Sequence, residues 1–95
     1  MRILVLLALS AAAQAAEWTG AISEAGCGLK HAAGGAEQCV EACVKKGAAP
    51  VFVTNNRVIR IANAERVMEF LGKKVKIEGR LERDAITVDR VETVN

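Results

Sequence analysis

The chain has 95 residues, with 13 Lys and Arg against 11 Asp and Glu, a single His and a formal charge of +2. So small a net charge gives no strong field for steering a polyanion, and an aromatic content of 3% leaves little material for stacking on bases. Nucleic acid is therefore not an expected partner, and the length allows one domain.

The amino terminus reads as an export signal. Arg2 supplies the positive start, Ile3 to Leu9 the apolar stretch, and Ala13-Gln14-Ala15 a small-x-small cleavage site. A signal peptide is thus expected over residues 1–15, with a mature periplasmic or secreted chain starting at Ala16 and forming a single domain over 16–95. The apolar run from Ile3 to Ala16 falls short of the roughly 20 residues that span a bilayer, and Glu17 to Gly20 end it, so no membrane anchor is expected after cleavage. No cysteine directly follows the cleavage site, which leaves a lipoprotein anchor unsupported. Loss of Arg2 leaves 12 basic against 11 acidic side chains. A mature chain this short buries only about 60% of its unfolded surface, so a covalent or metal staple would add needed stability.

Glu17 to Ser23 alternates loosely, with Trp18, Gly20 and Ile22 on one side, and is predicted to be the first strand. The Gly-punctuated turn Ala25-Gly26-Cys27-Gly28 leads into Leu29-Lys30-His31-Ala32-Ala33, about one and a half helical turns stopped by Gly34-Gly35. From Ala36 to Lys46 the apolar positions Ala36, Cys39, Val40, Cys43 and Val44 form a helical stripe. Glu41 and Lys45 make a favourable i,i+4 pair, and Gly47 ends the helix. Pro50 opens the strand Val51-Phe52-Val53-Thr54, and Asn55-Asn56 provides a turn with positive φ angles. Arg57 to Ile61 returns as the hairpin partner. Asn63 is placed to cap a second short helix over 64–71, whose apolar face is Ala64, Val67, Met68 and Leu71; Met68 and Phe70 are expected to pack. Val75, Ile77, Gly79 and Leu81 alternate with charged residues in a fourth strand. Ala85 to about Val94 forms a fifth, whose phase slips near Arg90-Val91 as at a β-bulge. Lys73, Lys74 and Lys76 are expected on a solvated face, where Glu78 and Glu82 cancel their field.

Strand, Cys/His helical insert (24–47), two strands, helix, two strands: this order predicts a mainly β fold. The expected architecture is a small five-stranded OB-like Greek-key barrel, with the insert between strands 1 and 2 and the short helix between strands 3 and 4. The segments Trp18-Thr19-Gly20-Ala21-Ile22-Ser23, Cys27-Gly28-Leu29-Lys30, Cys39 to Ala48, Val51-Phe52-Val53 and Gly72 to Gly79 together resemble those of small exported bacterial OB-fold-like proteins of uncharacterised function. The resemblance implies a fold and a compartment and carries no activity with it.

All three cysteines and the only histidine fall within the insert. Three chemistries suit them. The first is a disulfide from Cys27 to Cys39 or Cys43, since i,i+4 β-carbons on one helix lie too far apart to bridge; the remaining thiol would be buried, with Cys39 and Cys43 in the core. The second is a metal site of Cys27, His31, Cys39 and Cys43, a Cys3His set for Zn²⁺ or, through its soft thiolates, Cu(I). The third is a thiol-disulfide redox pair, although reactive pairs favour C-x-x-C at a helix start. Nothing near the cluster completes a Cys-His catalytic constellation, and the acids are expected on solvent faces, so no enzyme is indicated. Trp18 is the one aromatic that could face a ligand; the alternative is packing under the barrel mouth. The expected function is a non-enzymatic exported binding or interaction module, taking a metal ion or a protein partner, with a periplasmic thiol redox protein as the alternative.

Overall fold

Alternation of apolar and charged residues along Lys74–Glu82 buries Val75, Ile77 and Gly79 and leaves Lys74 and Arg80 exposed. The same rule builds the other strands of this computed structural model, which describes residues 15–31 and 34–94, Leu29 and His31 by their backbone alone. The strands are β1 (Ala16–Glu24), β2 (Pro50–Thr54), β3 (Arg57–Ile61), β4 (Lys74–Glu82) and β5 (Ala85–Thr93). One α-helix, α1 (Glu37–Lys45), and two 3-10 segments, Gly28–His31 and Ala64–Phe70, connect them. The expected signal sequence lies outside the described residues, save for its last residue, Ala15. No described helix is long and apolar enough to cross a membrane.

The strands pair in a closed ring, β1-β2-β3-β5-β4 and back to β1. Every contact is antiparallel except β3 with β5, which run parallel over only two residue pairs, Arg60 with Ala85 and Ile61 with Ile86. Asn55 and Asn56, both with positive φ, make the β2-β3 turn as the sequence predicts. The register of β4 against β5 shifts between Glu78 and Gly79, which leaves Asp89 as the extra residue, slightly before the expected slip. Opposed charges line the outer face, with Lys76 near Glu92 (3.3 Å) and Arg90 near Glu78 (3.6 Å). Exposed pairs like these set the wet face and contribute little stability.

Ile22, Phe52, Val75, Ile77, Ile86 and Val88 fill the ring, and Val40 of α1 and Val67 cover it. Two expectations for the second helix are corrected. Ala64–Phe70 is a 3-10 helix, whose three-residue period brings Ala64, Val67 and Phe70 to the core side and turns Met68 outward, 46% exposed. Asn63 does not cap it: its Nδ2 donates to the Val88 carbonyl and its Oδ1 accepts from the Val88 N–H, both at 2.9 Å. The side chain is engaged across the barrel.

β1 also departs from simple alternation. Gly20 through Glu24 are all buried, because this half of the strand is covered on one face by the barrel interior and on the other by the insert. Gly72 ties the two together. Its N–H donates to the Ile22 carbonyl (2.7 Å) and its carbonyl accepts the Ala36 N–H at the start of α1 (3.2 Å). With φ of +76° and a would-be Cβ only 2.5 Å from the Glu37 Cα, this position admits glycine alone.

Candidate functional site

The last residues of β1 build the site. Ser23 and Glu24 are fully buried, and both bind the turn that follows. The Ser23 hydroxyl donates to the Gly28 carbonyl (2.9 Å), while the Glu24 carboxylate accepts the N–H of Gly26 (2.7 Å) and of Cys27 (3.1 Å). A buried carboxylate is costly unless hydrogen-bonded, and these two backbone donors supply that compensation. The Cys27 N–H also reaches the Glu24 carbonyl (3.3 Å), which closes the turn. The Cys27 thiol lies within the influence of the same carboxylate.

Across from this turn runs α1. Its only fully buried residue is Val40, which anchors the helix on the barrel, and the two cysteines flank that anchor. Cys43 is half-buried and Cys39 exposed, so the expectation that both lie in the core is corrected. A single narrow line of contact through Val40 and Val44 fixes the helix, and Cys39, one residue before Val40, rotates to its flank. The Cys43 and Cys39 thiols, one turn apart on α1, act on one another, and the charge state of each would be felt at Cys27.

The structure therefore brings Cys27, Cys39 and Cys43 into one electrostatic neighbourhood. All three are free thiols; the expected bridge from Cys27 to Cys39 or Cys43 is not formed. Among the described residues no three His, Cys, Asp or Glu side chains converge as a ready-made metal site. The His31 backbone lies in the 3-10 turn after Cys27, and its side chain is outside the described residues. Trp18 is partly buried and packs against the core.

Glu24 is the member that sequence reasoning missed. Acids were expected on solvent faces, and Glu24 is 1% exposed. The available signal was its place at the end of a strand directly before Ala25-Gly26-Cys27-Gly28, a turn whose free N–H groups need an acceptor. Its effect on the thiols is direct. The hydrogen bond to Glu24 raises the Cys27 thiol above its ordinary value, with partial burial and the charges of Glu24, Cys39 and Cys43 adding in the same direction. Burial raises the Cys43 thiol first, then Glu24 and Cys39, while Lys46 opposes them. Carboxylate and sulfur thus keep protons on the cluster, and those negative charges would equally favour a cation there.

Comparison with models of known families, with curated proteins and with solved structures finds no match for this chain.

Proposed function

We propose that the protein is a non-enzymatic, exported OB-like binding module whose cysteine loop captures a thiophilic metal cation. The ring order, the parallel β3-β5 contact and the helical segment between β3 and β4 support the OB-like Greek-key reading. The export signal read at residues 1–15 supports a periplasmic or secreted location, in keeping with the resemblance to small exported bacterial proteins of this kind.

One observation carries the functional reading: the buried Glu24 carboxylate acts on the Cys27 and Cys43 thiols, and Cys39 acts on both, so the three sulfurs share one electrostatic neighbourhood. Three sulfurs in the field of a fixed negative charge suit a cation that binds sulfur, such as Zn²⁺ or Cu(I). The thiol redox alternative fits less well. Raised thiols are mostly protonated at neutral pH, whereas a redox nucleophile needs the thiolate. A bridge between Cys27 and one helix cysteine would exclude the cation, so the two states are mutually exclusive at this loop.

Protein isolated from the periplasm should begin at Ala16, carry three titratable thiols after mild acid treatment and contain bound metal by elemental analysis. A mass two protons low, with one thiol and no metal, would replace the cation reading with a structural disulfide.

A further inference from the structure

We propose that Cys39 and Cys43 by themselves form a two-coordinate site for a soft monovalent cation of the Cu(I) class, held in line between their two sulfurs. This rests on the cation reading above and names its ligand pair and its metal class. The helix that carries both residues sets the geometry. Cys39 and Cys43 lie four positions apart within α1. They therefore share one face on successive turns, with β-carbons about 5 to 6 Å apart. Fully buried Val40 lies between them and holds α1 on the barrel, and the Ala36 N–H, bonded to the Gly72 carbonyl (3.2 Å), ties down its start.

That spacing separates two chemistries. A disulfide needs β-carbons about 3.5 to 4.5 Å apart, so this pair does not bridge without unwinding a turn of α1, even in the oxidising compartment of the export reading. Both sulfurs stay available for a cation. Two metal–sulfur bonds laid end to end, each near the roughly 2.3 Å of a zinc thiolate, hold the sulfurs about 4.6 Å apart. Side chains that leave neighbouring turns meet that distance by leaning together about χ1. Cys39 is exposed and Cys43 half-buried, both as free thiols, so a cation reaches them from solvent.

The number of donors selects the metal. Zn²⁺ asks for four ligands, and among the described residues no three His, Cys, Asp or Glu side chains converge. Cu(I) is soft and is satisfied by two thiolates in a line. Each thiol releases one proton to solvent as its sulfur bonds the cation. Two thiolates and one monovalent cation leave a single negative charge, with no change of oxidation state.

The test is anaerobic competition for Cu(I) between the reduced mature protein and the chelator bathocuproine disulfonate, with Zn²⁺ uptake measured in parallel. The wild type should bind one Cu(I). Cys39→Ser and Cys43→Ser should each weaken it by well over 100-fold, beyond the roughly 10- to 100-fold that loss of a supporting group costs, and Cys27→Ser should stay at or below that lower range. Moving the second sulfur, by Cys43→Ser with Glu41→Cys, keeps two thiols on α1 but on opposite sides of it, and should bind as weakly as Cys43→Ser alone. Cu(I) uptake in which Cys27→Ser is as damaging as Cys39→Ser, or in which the moved pair binds as tightly as the wild type, overturns the two-sulfur site and leaves the cation reading standing. Uptake of Zn²⁺ alone does the same. Protein that takes up neither metal overturns both. If a variant does not fold, X-ray absorption of the wild-type copper complex decides: two sulfurs around the metal support the pair, and a third sulfur or a nitrogen donor overturns it.

Discussion

The Asn63 side chain bonds both backbone groups of Val88, taking the place that a neighbouring strand would occupy at that point of β5. It does so beside the shortest contact of the ring, where β3 and β5 share two residue pairs. Removing the amide would leave a part-buried N–H and C=O without partners, and each such loss costs about 1 to 3 kcal/mol. Asn63→Ala should therefore lower stability by about 2 to 4 kcal/mol, and Asn63→Asp, which keeps the acceptor alone, by less. Urea unfolding of the three proteins measures the order.

Gly72 and Gly35 share a left-handed backbone and differ in surroundings. At Gly35, φ is +78° with nothing within 4 Å of an added Cβ; at Gly72 the added atom meets the Glu37 backbone at 2.5 Å. Gly35→Ala should cost only the left-handed strain, about 1 to 2 kcal/mol. Gly72→Ala should cost clearly more, because α1 must shift away from β1. The separation would also move Cys39 and Cys43 from Cys27, so thermal melts and cation uptake should fall together in that variant alone.

Among the described residues Phe52 is the largest fully buried side chain, while Met68 lies 46% exposed. Phe52→Ala should cost about 3 to 5 kcal/mol, a large part of the 5 to 15 kcal/mol typical of a domain. Met68→Ala should stay within about 0.5 kcal/mol, as surface changes do. Equal losses at the two sites, measured by thermal unfolding, would contradict the outward turn of Met68.

Alkaline pH should loosen the reduced protein. Folding raises the Cys27 and Cys43 thiols, so the native state holds their protons more tightly than the unfolded chain does. That contribution is fully present below the ordinary thiol value of 9.0 and is lost as pH rises through the raised native values. Thermal stability should fall across that window, and the fall should shrink in Cys27→Ser. Alkylation at neutral pH should reach exposed Cys39 first, as peptide mapping of a short iodoacetamide reaction would show.

Local chemistry was the legible part of this chain. The β2-β3 hairpin followed from Asn55-Asn56 and β-branched flanks, and β4 from strict alternation, because each signal lies within the segment it describes. The 3-10 segment at Ala64–Phe70 was harder: α and 3-10 helices share an i,i+3 spacing of apolar residues, so that spacing alone does not choose between them. Glu24 was hidden for a related reason. A carboxylate is buried there by an insert that folds back over β1, and nothing within β1 announces a cover on its second face. Cysteine spacing in α1 placed Cys39 and Cys43 on neighbouring turns, but only the docking of Val40 decides which way that face points.

The ring closes between strands far apart in the chain, since Ala16 of β1 sits opposite Gly79 of β4. A polypeptide emerging amino end first can pair Ala21–Glu24 with β2 early, whereas Ala16–Gly20 has no partner strand until β4 follows. For that interval the first half of β1 presents an unpaired edge, the kind of edge that pairs with a wrong partner unless the chain is completed quickly.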